Sequence, residues 1–323
     1  MKKLFSFVLV ALMMLFSMSV TTGCSDKDIL DPNLEPEPEE TPSENLEEKP
    51  DIKPEGGESG EVGGIEIPPA VLEKVKAIYS KASIGPQKVT TVNQLAILTS
   101  ICATRKGDGP ISVTKASLNG KKITLVTLGG TEDVEGQATT MEESQLAAFG
   151  KSNDYLKAVV KLFETSVIPK DRPVMVTGIS LGGMIAQQLI GQTSIVDEYA
   201  VRAIVTFGSP LTLPLDRQYI RVVRFADVHD KVPSLGEMVL RMGMLTVNEL
   251  TPKELTQKLK ELDGTEKIAC VSKYTDMIET HALSYIEDTC WSETDFLGDV
   301  EKKNVLVLEE DMKFYPAPKL ETK

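Results

Sequence analysis

The stretch VMVTGISLGGMIAQQLI, residues 174–190, decides how the rest of the chain is read. Strand-forming residues from Val174 to Thr177 run into Gly178-Ile179-Ser180-Leu181-Gly182, a G-x-S-x-G pattern. A second glycine, Gly183, follows, and then a helix-like segment. A strand that turns sharply into a helix around a serine is a nucleophile elbow, which exposes the hydroxyl at the turn. Gly178 and Gly182 flank the turn because side chains there would collide with neighbouring backbone. Gly183 and Ala186 are small enough to let the helix pack closely on a sheet. The Leu181 N–H falls at the helix N-terminus, where it can help hold an oxyanion.

Outward from this stretch the pattern alternates between strand and helix. Upstream, helices are predicted over 68–83, with proline at the start, and over 91–103. Two β-rich runs around Asn119-Gly120 predict a hairpin. The second of them, Ile123–Leu128, has the unbroken apolar and Thr character of a buried central strand. One helix is predicted over 141–165. Downstream, strands are predicted over Ala203–Phe207 and Tyr219–Ala226, helices within 234–262, and an edge strand over Val305–Leu308. Strands alternating with helices predict an α/β domain, residues 65–323, with a mostly parallel central sheet and helices on both faces.

The N-terminal region has a different character. Lys2 and Lys3 precede an apolar run from Leu4 to Val20, the form of an export signal. Thr21-Thr22-Gly23-Cys24 follows and resembles a bacterial lipobox. That resemblance implies a signal peptide over 1–23 and lipidation of Cys24. Residues 24–64 read as a disordered acidic tether, rich in Glu, Pro and Gly and without an aromatic residue. Residues 25–61 hold fourteen acidic side chains and three lysines, against a net charge of −13 for the whole chain. Most of the acidity therefore belongs to the tether, and the balance argues against nucleic acid as a partner. A lipid anchor on an extended polar tether implies an exported domain held at a bacterial membrane or cell surface.

A serine hydroxyl needs a base beside it, and the base needs a group that fixes its tautomer. The chain has two histidines, His229 and His281. Ser180, Asp230 and His281 follow the order nucleophile, acid, base that this type of elbow uses. His229 is poorly placed to pair with its neighbour Asp230, because adjacent side chains on extended backbone point apart.

Five segments then resemble the fungal-type, class 3 lipase family of α/β-hydrolases. They are LVTLGGTED (125–133), VTGISLGG (176–183), IVTFGSP (204–210), FADVHDKVPSL (225–235) and THALSY (280–285). The resemblance implies an α/β-hydrolase fold and an esterase or lipase activity. Ser180 would be nucleophile, His281 general base and then acid, and Asp230 the orienting carboxylate. Thr131 and the Leu181 N–H would form the oxyanion hole. Ile179, Gly129 and Lys231 depart from the family pattern, as in a distant member.

The substrate remains open at this level. Lipid esters fit the anchor and the resemblance. Short-chain esters fit the polar stretch EDVEGQATTMEESQL (132–146), where the family often carries a lid. The same residues would serve a thioesterase, acyltransferase or peptidase, and a non-catalytic surface-binding lipoprotein on a hydrolase scaffold is a rival of another class. The segment with Met238, Val239, Leu240, Met242, Met244 and Leu245 reads as core helix, as the wall of an acyl pocket or as a cap. Cys270 and Cys290 flank His281 and are candidates to staple its loop. No cysteine–histidine cluster has zinc spacing and no phosphate-binding glycine loop is evident, so no metal and no cofactor is expected.

Overall fold

The computed structural model describes residues 61–62, 65–66, 68–104, 108–132, 134–212, 219–234, 266–299 and 302–320. The signal peptide, Cys24, nearly all of the tether and the Met-rich segment 238–245 lie outside the described residues. In chain order the strands are β1 (Glu61–Val62), β2 (Ile65–Glu66), β3 (Gln87–Val89), β4 (Ile111–Leu118), β5 (Lys121–Leu128), β6 (Val174–Ile179), β7 (Val201–Phe207), β8 (Arg221–Asp227), β9 (Glu266–Cys270), β10 (Leu306–Leu308) and β11 (Lys313–Tyr315). The α-helices are α1 (Pro69–Tyr79), α2 (Val92–Ser100), α3 (Met141–Ala148), α4 (Asp154–Glu164), α5 (Leu181–Leu189), α6 (Thr193–Glu198) and α7 (Met277–Glu287).

The fold is α/β. Nine strands form one mixed sheet in the order β3-β10-β4-β5-β6-β7-β8-β9, with β11 paired to β4. Strands β5 to β9 are parallel, and their C-terminal ends share one rim of the sheet. The remaining ladders are antiparallel. The β4–β5 hairpin turns at Asn119 (φ 52°) and Gly120 (φ 78°), the two left-handed residues that a two-residue turn requires. A separate two-residue ladder joins β1 to β2, so β1 falls within the stretch read as tether.

Side-chain alternation along the strands divides the core in two. Val174 and Val176 of β6 and Val126 and Leu128 of β5 pack with α4, α5 and α6. Met175, Ile179, Ile123 and Leu125 face the other way and pack with α1, α2 and α7. Each large apolar side chain so buried contributes about 1.5–3 kcal/mol. Helix α5 is buried along its whole length. Its two glutamines are therefore bonded internally: Gln187 donates to the Gly183 and Pro210 carbonyls, and Gln188 to that of Ala147.

Three sequence expectations are corrected. The helix predicted over 141–165 is two helices. Gly150, at φ 65°, ends α3, where the Lys151 N–H returns to the Leu146 carbonyl. Asn153 then caps α4 by accepting from the Leu156 N–H at 2.8 Å. Within the run Val305–Leu308, Leu306–Leu308 form β10, but not at an edge: it lies between β3 and β4. Only three residues long, β3 lacks the apolar run by which a strand is recognised. Finally, His281 stands on helix α7 and not in a loop.

Candidate active site

Ser180 sits between β6 and α5 at φ 50°, ψ −117°. A non-glycine residue at such a φ costs on the order of 1–3 kcal/mol and persists only where its surroundings over-determine it. Those surroundings are close. A Cβ on Gly178 would lie 2.3 Å from the Gly182 carbonyl oxygen, and one on Gly182 would lie 2.2 Å from that of Leu128. The Ser180 N–H donates to the Phe207 carbonyl at 3.0 Å. Ser209 Oγ donates to the Ser180 carbonyl at 2.7 Å, where a Cβ on Gly183 would collide with it. Both peptide groups of the serine are thus tied to the end of β7 and the segment that follows it.

That segment also touches the second half of the site. Gly208, at φ 57°, passes so close that a Cβ would lie 3.1 Å from both Asp230 Oδ2 and His281 Cε1. Asp230 and His281 are joined by a 2.7 Å bond from Nδ1 to Oδ2, both side chains being almost wholly buried. The other carboxylate oxygen, Oδ1, accepts from the Val232 N–H at 3.0 Å. Helix α7 starts at Asp276, whose carboxylate accepts from the Ile278 and Glu279 N–H groups. Four residues separate His281 from Tyr285, which puts both on the same helix face. The Tyr285 hydroxyl donates to Asp230 Oδ2 at 2.8 Å.

His229 has a different setting. Its Nδ1 lies 2.6 Å from the Tyr274 carbonyl, and its N–H donates to Asp227. Of the two histidines, Asp230 is bonded to His281.

The loop after β5 closes the third side, since the backbone at Leu128 and Gly129 abuts Gly182. The Gly129 N–H donates to the Pro110 carbonyl at 2.8 Å, and the Tyr155 hydroxyl lies 3.1 Å from the Gly129 carbonyl. Thr131 is fully buried, with Oγ1 2.8 Å from Ser144 Oγ. Ser144 has one proton, and the Thr140 carbonyl 3.1 Å away accepts it. Ser144 Oγ is then the acceptor for the Thr131 hydroxyl, which holds the loop to α3. The polar stretch is tied down as well over 134–146. Ala138 donates its N–H to the Ala317 carbonyl, and Gln137 Oε1 accepts from the Ala317 N–H. Glu143 is buried and accepts from the Asp154 N–H; burial raises its carboxyl above the ordinary value.

Cys102 lies behind this loop, 2.9 Å from Thr127 Oγ1, and burial pushes its thiol up to about 11, so it is not a thiolate near neutral pH. Among the described residues no group of three or more His, Cys, Asp or Glu side chains is arranged to hold a metal ion.

Cys270 and Cys290 form a disulfide with a Cα–Cα distance of 6.0 Å. It joins the end of β9 to the turn after α7, so it staples the helix that carries His281. Gly208, Ser209 and Tyr285 were not singled out by sequence reasoning as site residues. Their signals were present in Phe-Gly-Ser-Pro and in the His-x-x-x-Tyr spacing. No protein-family model matches the chain, and comparison with curated proteins and with solved structures gives no match either. Among the described residues no helix is long and apolar enough to cross a membrane.

Proposed function

We propose that the domain is a serine hydrolase of the α/β-hydrolase type that cleaves carboxylic esters. The observation that carries this reading is the buried Asp230–His281 bond: Gly208 packs against both residues, and its neighbours Phe207 and Ser209 hold the peptide groups of a serine at a left-handed strand-to-helix turn. A binding module has no use for that combination, because strain at Ser180 and burial of a carboxylate both cost stability.

In the proposed mechanism Ser180 Oγ attacks the ester carbonyl carbon while His281 Nε2 takes its proton. Asp230, bonded to Nδ1, keeps Nε2 as the accepting nitrogen and stabilises the imidazolium that forms. The Leu181 and Thr131 N–H groups receive the oxyanion, at the N-terminus of α5 and in the loop after β5. Collapse of the tetrahedral intermediate expels the alcohol, which takes the proton from His281. Water then repeats the sequence on the acyl-serine and releases the acid.

The resemblance of five sequence segments to class 3 lipases supports an ester as substrate. The lipobox-like Cys24 and the tether support a place at a membrane surface, where acyl lipids are at hand. The test is hydrolysis of a chain-length series of chromogenic esters, with fluorophosphonate labelling of the serine. The wild-type protein is expected to turn over at least one ester and to be labelled at Ser180, while Ser180→Ala does neither. Equal rates for the two proteins at every chain length would reject the reading.

A further inference from the structure

One contact of the Asp230–His281 pair has no part in the mechanism as stated. The Tyr285 hydroxyl takes part in two hydrogen bonds of opposite sense. It accepts from the Asp227 N–H at 3.0 Å and donates to Asp230 Oδ2 at 2.8 Å. A backbone N–H can only donate, so the direction of the phenolic proton is settled: it points at the carboxylate. The ring is held in that pose by stacking on Trp291, with centroids 5.8 Å apart at 19°. Phe207 lies on another side at 6.5 Å. Room for the arrangement comes from Gly208, where a Cβ would lie 2.9 Å from Tyr285 Cε2.

We propose that Tyr285 is a positioning residue of this pair: its hydroxyl fixes the carboxylate that orients His281 and sets the pH range over which His281 can act as a base. The proposal rests on the serine-hydrolase reading. Its physical basis is that Oδ2 is shared. The same oxygen accepts from Tyr285 and from His281 Nδ1, so charge drawn toward the phenol is withdrawn from the imidazole. The tyrosine donor therefore makes Asp230 a weaker partner for an imidazolium. Burial first, and then the Asp230 charge, push the phenol well above its ordinary value, so it remains a donor wherever the carboxylate is ionised.

The other charged groups on the packed elements are few. The β8 end and its turn present Asp227, His229 and Lys231. Helix α2 has no charged side chain, and Lys74 of α1 lies 3.9 Å from Glu279 in the first turn of α7. The Asp230 carboxylate itself is bonded to the Tyr285 hydroxyl, His281 Nδ1 and the Val232 N–H.

The test is an NMR titration of the histidine Cε1 protons in the full chain. Two histidines make assignment by His229→Ala sufficient. In Tyr285→Phe the ring and its stacking stay and the donor goes. The His281 midpoint is expected to rise by about one unit, and the acid limb of kcat/KM to move up with it. Phe207→Leu, which disturbs packing alone, should lower stability and leave the midpoint in place. Replacing Tyr285 by 3,5-difluorotyrosine, a stronger donor of nearly the same shape, should move it down, and this arm stands if Tyr285→Phe does not fold. An unmoved midpoint in either Tyr285 variant, or equal movement in Phe207→Leu, overturns the proposal. Failure of the hydrolase reading is separate: Ser180 would then resist fluorophosphonate while the midpoints still shifted.

Discussion

On the side of the proposed nucleophile one stretch of chain, from Val174 to Leu189, runs from strand to helix around Ser180. On the side of the proposed base Asp230 and His281 lie 51 residues apart and meet through side chains. The nucleophile side is held by steric exclusion and backbone hydrogen bonds, with glycines where a Cβ would strike a carbonyl. The base side is held by hydrogen bonds to one carboxylate, a stacked aromatic pair and a disulfide. Damage should differ accordingly. A wrong atom at the elbow displaces backbone, and with it every group that meets there. A lost partner on the base side changes charge and orientation while the chain path survives.

The largest expected effect separates the two histidines, on which this comparison depends. His281→Ala should lower kcat by about 10⁶-fold, as loss of a base that acts as a unit with its serine does. His229→Ala should leave kcat/KM within about a factor of two, the range of a substitution away from the chemistry. His229 is bonded to the Tyr274 carbonyl and not to Asp230. Steady-state kinetics of the two variants, with circular dichroism to establish folding, decides the matter. Equal losses would overturn the assignment of the base to His281.

A smaller effect is expected from Gly182→Ala. The added methyl would stand 2.2 Å and 2.4 Å from the Leu128 and Gly129 carbonyl oxygens, which are backbone and cannot rotate away. The loop that carries Thr131 and the helix that carries the Leu181 N–H must therefore separate by about 1 Å, and a misplacement of that size costs about 100-fold in kcat. The same variant should react more slowly with fluorophosphonate, because that reaction also needs the oxyanion donors. If kcat and labelling rate were unchanged, the close approach at Gly182 would have no functional consequence.

The contrast between the halves also explains what was legible in the sequence. The elbow is local: Gly178, Ser180, Gly182 and Gly183 stand within six residues, and each acts on its neighbours. The hairpin at Asn119-Gly120 was legible for the same reason. Strand β3 and the interior position of β10 were not, because both depend on a pairing between residues more than 200 apart. The break in the predicted helix 141–165 was written in Gly150 and Asn153, a stop and a start in succession, but the apolar period continued across them. On the base side, chain order and the resemblance of segments 225–235 and 280–285 brought Asp230 and His281 forward. That Gly208 and Tyr285 serve the same carboxylate could not be read, since neither lies near Asp230 in sequence.

The smallest effect on rate, and a clear one on stability, is expected at the disulfide. Cys270 ends β9, an outer strand of the sheet with little of its surface buried. Its carbonyl accepts from the Val228 N–H in the turn that leads to Asp230. Cys290 follows α7, where Trp291 Nε1 donates to the Ser284 carbonyl and continues the helix into the aromatic stack. The bridge closes a loop of 20 residues containing His281, and constraining such a loop in the unfolded chain stabilises the native state by about 3 kcal/mol. The paired Cys270→Ser and Cys290→Ser variant should lose about that much in chemical denaturation. The Asp230–His281 bond does not run through either sulfur, so kcat below the new transition should change little. If kcat fell as steeply as stability, the covalent link would itself be holding the pair in register, and the base side would then resemble the elbow in being built by constraint of the chain.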